Sequence, residues 1–146
     1  MTQTPSQTVG PFFHFSLCDR PANELAGDGI RLSGRVFDGG GAPVDDALVE
    51  LWHPDVGFGR CATDDEGRFE FTVPRPADGH VEVMIFARGL LKHVVTRVYF
   101  PDAGDHFLGS LPERDRSTLI AEQESDGSLR FDIHLQGERE TVFFAV

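Results

Sequence analysis

From residue 30 onward the chain is written in short runs that alternate apolar and polar residues, each stopped by a cluster of Gly, Pro or Asp. Alternation puts successive side chains on opposite faces of an extended backbone, and the breakers leave no room for a helix of ordinary length. Residues 30 to 37 alternate with period two before Asp38-Gly-Gly-Gly-Ala-Pro43 turns the chain. Residues 47 to 52 alternate again, and these two runs read as a hairpin-like unit. His53-Pro-Asp-Val-Gly-Phe-Gly59 reads as a loop, and Asp64-Asp-Glu-Gly67 reads as a turn into a strand at 68 to 73. Further strands are expected at 80 to 87 and 93 to 100, the second stopped by Pro101, and at 129 to 135 and 141 to 146. A turn of helix between 112 and 122 is the one helical signal.

Short strands at close spacing with almost no helical periodicity predict an all-β sandwich of mostly antiparallel strands, prealbumin-like in the spacing of its Gly, Pro and Phe residues. The 146 residues, 40% of them hydrophobic, suit a single domain over 1 to 146 with a core that needs no disulfide staple. Residues 1 to 17 read as an extended N-terminal arm: Pro5, Gly10 and Pro11 oppose a regular helix, and Phe12, Phe13 and Phe15 give it an apolar end that must dock on something.

Charge narrows the partners. A net charge of -11 is wrong for a nucleic-acid backbone or an anionic membrane surface, both of which reward clustered Lys and Arg. Cys18 and Cys61 have no CxxC spacing and read as idle thiols rather than as a zinc or disulfide framework. No basic leader or membrane-length apolar run is written, so a cytoplasmic location is expected.

The run at 80 to 87 carries the residues with most chemical content. His80 and Glu82 share one face of a strand and Val81, Val83 and Ile85 share the other. With a third ligand such as His93, His106 or His134, His80 and Glu82 have the form of a two-histidine, one-carboxylate iron(II) site; six histidines in the chain also make a chance His-x-Glu ordinary. Arg88, beside Gly89, has the planar fork that grips a carboxylate in two places, and pairing with one of the 24 acidic residues of the chain is its plainer use. Asp64, Asp65 and Glu66 lack the ligand alternation of a calcium loop, and no nucleophile elbow or phosphate loop occurs.

Longer stretches carry a resemblance. Thr4-Pro-Ser-Gln-Thr-Val-Gly-Pro11, Val49-Glu-Leu-Trp52, Phe86-Ala-Arg-Gly89, Thr96-Arg-Val-Tyr-Phe100 and Arg130-Phe-Asp-Ile-His-Leu-Gln-Gly-Glu138 with the following Glu140-Thr-Val-Phe-Phe144 are similar to the intradiol ring-cleavage dioxygenases, nearly from end to end. The resemblance is to their alpha chains. It implies a β-sandwich subunit of an alpha-beta hetero-oligomer that uses O2 to cleave protocatechuate to 3-carboxy-cis,cis-muconate. It also implies iron(III) held by two tyrosines and two histidines of the beta partner. Where the family's catalytic chains carry His-x-His, this chain reads His80-Val-Glu82, and its single tyrosine, Tyr99, follows that strand instead of preceding it. His80 and Glu82 are thus expected to be vestigial and this chain to bind no metal. By the same resemblance Thr8, Gly10, Pro11 and Arg88 line a substrate pocket whose iron belongs to beta. The loops before Gly57 and between Thr72 and His80 read shorter than in the family. A prealbumin-like binding or assembly module without a catalytic role, and an iron(II) site at His80 and Glu82, are the alternatives.

Overall fold

The computed structural model describes residues 3–10, 12–18 and 22–145. Two β-sheets pack face to face. Strands β1 (Ile30–Phe37), β4 (Arg68–Val73), β8 (Leu129–Arg130) and β7 (Glu122–Gln123) form one sheet in the order β4-β1-β8-β7, with β9 (Ile133–His134) also paired to β1. Strands β2 (Leu48–His53), β3 (Gly57–Ala62), β5 (His80–Phe86) and β6 (Val94–Tyr99) form the other, in the order β3-β2-β5-β6. Three five-residue helices, α1 (Phe13–Leu17), α2 (His106–Ser110) and α3 (Glu113–Ser117), complete the described elements. No helix among the described residues is long and apolar enough to cross a membrane.

The alternation read from sequence decides which face each strand buries. Leu32, Val36, Phe71 and Val73 of the first sheet meet Val49, Leu51, Val81, Val83 and Ile85 of the second, all essentially without solvent exposure. Fully burying a side chain of this kind stabilises by roughly 1.5–3 kcal/mol, so the seam between the sheets is the main source of cohesion. On β5 the three valine and isoleucine side chains are buried while His80, Glu82, Met84 and Phe86, on the other face, are half-buried.

Several expectations need correction. β1 and β2 are not a hairpin: β1 pairs with β4 and β2 with β3 and β5, so the 38–47 connection crosses from one sheet to the other. The stretch 57–62, expected as loop and turn, is strand β3, fully registered on β2 from His53 opposite Gly57 to Leu48 opposite Ala62. Gly57 and Gly59 had diluted its pattern. The expected strand at 129 to 135 is split in two, because Asp132 intervenes and its Oδ1 accepts the Arg35 N–H at 3.1 Å in place of a ladder carbonyl. Residues 141–145 form no strand; a bridge from Val95 to Phe144 and the Thr96 hydroxyl, which donates to the Val142 carbonyl at 2.8 Å, fasten them to β6. The arm has no regular secondary structure over 3–10 and ends in α1, whose first N–H, from Phe13, is taken by the Gly10 carbonyl at 3.1 Å. Gly34 shows how tight the first sheet is, since a Cβ there would lie 1.8 Å from the Phe131 carbonyl oxygen.

Candidate functional site

β5 carries chemistry at both ends. Seven residues at about 3.3 Å each set His80 and Phe86 roughly 20 Å apart, so the two ends belong to different sites.

At the first end His80 is packed between two rings. Tyr99, its register partner on β6, lies 5.1 Å away centroid to centroid, and His53 meets it edge-on at 6.0 Å. His53 accepts the Asp55 N–H on Nδ1 at 3.1 Å, which fixes the proton on Nε2, and that nitrogen meets Asp78 Oδ2 at 3.0 Å. Burial works against the Asp78 charge; the His53 hydrogen bond and the His80 imidazole outweigh it, and the carboxyl sits below its ordinary value. His80 Nδ1 is buried, with no hydrogen-bond partner among the described residues, 3.7 Å from Asp78.

The neighbouring groups close this end to metal. Tyr99 donates its hydroxyl to Asp105 at 2.9 Å. Burial pushes its phenol up and Asp105 pushes the same way, with Arg97 opposing, so it stays a neutral phenol and not a phenolate ligand. Glu82 turns to Arg97, 3.5 Å away, and Arg97 also lies 3.8 Å from Asp105 and over the Phe144 ring at 5.3 Å. The guanidinium beside Glu82 and Asp105 already supplies the positive charge that a metal would bring to those carboxylates, and like charges repel. No group of three His, Cys, Asp or Glu side chains among the described residues is placed to hold a metal ion.

None of the third ligands of the iron(II) alternative groups with His80 and Glu82 to hold a metal. His93 packs on Phe86 at the far end of β5, His134 stacks on Phe37 in the other sheet, and His106 opens α2. The histidine that does approach His80 is His53. The sequence places it at the start of a loop; its position at the end of an alternating run, one residue after Trp52 and so one row from Glu82, is the available signal.

At the second end the chain turns through Arg88 and Gly89. Gly89 takes φ +86, a conformation side chains rarely adopt, and its N–H then points at the arm and is accepted by Thr8 Oγ1 at 3.0 Å. The structure thus joins two of the expected pocket residues' neighbourhoods, the arm and the 88–89 turn, 81 positions apart in sequence. A groove of about 410 Å³ lies beside them, lined by Gln7, Val9, Phe86, Ala87, Leu90 and Leu91 among others, and the Phe13 ring packs on Phe86 at 5.7 Å. Gly10 is exposed, and Pro11 lies outside the described residues. Arg88 is held by two acids: Nη2 lies 3.4 Å from Asp45 and Nε contacts Asp46.

With the geometry in place, the comparisons define the class. A solved structure, the dioxygenase domain of a dioxygenase carbohydrate-binding protein fusion from Streptomyces sp. SirexAA-E, superposes with a TM-score of 0.64 at 22% identity, over 92% of this chain and 99% of that one. The fold is that of the intradiol dioxygenases. The protocatechuate 3,4-dioxygenase alpha chain of Burkholderia cepacia is 33% identical over 194 aligned residues, taking in 100% of this chain and 98% of the relative. The alpha chain of Pseudomonas putida is 36% identical over 195, with 99% and 96% covered. No family model matches. The chain belongs to the intradiol ring-cleavage dioxygenase family, and its similarity within that family is to protocatechuate 3,4-dioxygenase alpha chains. Alignments of 194 and 195 positions against 146 residues mean that these relatives carry segments this chain lacks.

Proposed function

We propose that this chain is the alpha subunit of a protocatechuate 3,4-dioxygenase, active with a beta chain that holds the iron(III). In this reading the chain builds one wall of the pocket in which O2 opens the ring of protocatechuate. Thr8 and Gly10 of the arm, Pro11 after them, and Arg88 face that pocket, with Arg88 the cation that meets the substrate carboxylate. The observation that carries the reading is the asymmetry of β5. Its His80 end is filled by Arg97, a neutral Tyr99 and paired carboxylates, which do not fit a ferric ion; its Arg88 end is braced by a hydrogen bond from Gly89 to Thr8 and opens on a groove. Orientation of the substrate by a fixed cation and a fixed arm is the chemical contribution such a wall makes.

Removing residues 1–10 from the chain in the assembled complex tests this. The expected result is a loss of about tenfold or more in kcat/KM for protocatechuate with the complex still assembled and its iron retained. Full activity of the truncated complex would contradict it.

A further inference from the structure

The connection from β1 to β2 carries a carboxylate that the pocket reading does not use. Asp46 has only 8% of its side chain exposed, and neither oxygen has a hydrogen-bond partner among the described residues. Among the described residues its one counter-charge is Arg88, through Nε. A carboxylate taken out of water this far is costly unless a cation stands against it.

The backbone around Asp46 is itself fixed. The buried Thr63 hydroxyl accepts the Ala47 N–H at 3.0 Å and donates to the Val44 carbonyl at 2.8 Å, so residues on both sides of Asp45 and Asp46 are tied to one side chain. Asp46 is therefore a stationary anchor. Arg88, more than half exposed, is the partner it holds.

A guanidinium offers a carboxylate two parallel N–H pairs, one along the edge of Nε and Nη2 and one across the end of Nη1 and Nη2. In this structure the side edge faces the two acids, Nε ion-paired with Asp46 without a hydrogen bond and Nη2 donating to Asp45 at 3.4 Å, while Nη1 has no partner among the described residues. We propose that Asp46 is a positioning residue for substrate recognition: it grips the Nε edge of Arg88 so that the Nη end of the fork is presented to the carboxylate of a catechol carboxylic acid. The inference rests on the reading that Arg88 faces the pocket, and it adds that a buried residue outside the pocket sets the direction of that cation. Asp45, 57% exposed and 3.4 Å away, is solvated and orients it much less.

The test compares Asp46→Asn, Arg88→Gln and the double variant in the purified alpha-beta complex, each with protocatechuate and with catechol, the same ring without the carboxylate. Asp46→Asn is expected to raise KM for protocatechuate about tenfold with kcat within about threefold, and to leave KM for catechol unchanged. Arg88→Gln is expected to do the same or more, and Asp46→Asn to add less than about twofold on the Arg88→Gln background, as residues acting through one contact do. Because Arg88→Gln alone leaves Asp46 buried and uncompensated, the double variant also supplies a folded reference in which neither charge remains. Equal effects of Asp46→Asn on both substrates, no effect on either, or a full tenfold effect in the absence of Arg88 would overturn the positioning role. If Arg88→Gln and the double variant both leave KM for protocatechuate unchanged, it is the pocket reading of Arg88 that fails.

Discussion

Asp105 joins the closed end of β5 to the helix that follows. Its Oδ1 accepts the Leu108 N–H at 2.7 Å as the N-cap of α2, and its Oδ2 accepts the hydroxyl of Tyr99, a side chain with no solvent exposure. Burial opposes the Asp105 charge, but the Leu108 amide, the Tyr99 hydroxyl and Arg97 outweigh it and hold the carboxyl below its ordinary value. A carboxyl lowered in the folded state stabilises above its unfolded pKa and loses that contribution as pH falls through the folded one. Asp105→Ala is expected to cost about 1–2 kcal/mol in urea unfolding at neutral pH, through the lost cap and an orphaned phenol, with a smaller difference from wild type in acid. His134 gives a second pH test. Burial, with Arg139 acting the same way, holds its imidazole below the ordinary value, so the folded state rejects the proton. Its contribution is present above the unfolded pKa, about 6.5, and is lost as pH falls from there. His134→Phe keeps a ring on Phe37, stacked at 5.0 Å, and should shrink the fall in urea midpoint between pH 7.5 and 5.5 relative to wild type. At this scale the sequence was informative about residue type and poor about partners: Arg88 was legible as a carboxylate-gripping cation, while Asp46, a common acid beside another acid, shows its burial only in three dimensions.

Among the elements, β1 is the one the fold leans on, since β4, β8 and β9 all pair with it. Gly34 sits at its centre, where a Cβ would meet the Phe131 carbonyl oxygen at 1.8 Å and the Phe69 ring at 3.1 Å. Because the nearer obstacle is backbone, Gly34→Ala is expected to destabilise by about 3 kcal/mol, seen as a lower melting temperature and lost dispersion of core resonances. Strands with clean alternation, β1, β4, β5 and β6, were legible to within a residue or two. What failed is instructive. β3 reads Gly-Phe-Gly and shows no alternation until β2 supplies a ladder beside it, and the 38–47 turn reads as a hairpin because turn chemistry does not say which sheet the next strand joins. The break between β8 and β9 depends on one side chain, Asp132, replacing a backbone acceptor. α1 was missed because Pro5, Gly10 and Pro11 govern only what precedes Phe13.

For the whole molecule, the family was legible from long motifs, and the candidate site only in halves. His80 and Glu82 read as a metal strand only in the iron(II) alternative and as vestigial positions by the resemblance, and it takes the structure to show that Glu82 pairs with Arg97 and that His53, not a distant histidine, approaches His80. Nor does any single stretch of sequence show that the arm and the 88–89 turn meet. In the proposed reading, the two ends of β5 belong to a subunit whose own centre is occupied by side chains and whose opposite end serves another chain's chemistry. The direct test is iron content, tyrosinate-to-iron charge-transfer colour and protocatechuate turnover, measured on this chain alone and on its purified complex with a beta chain. The expected result is no bound iron, no colour and no turnover for the chain alone, with all three in the complex at about one iron per alpha-beta pair. Stoichiometric iron with colour and turnover in the lone chain would contradict it.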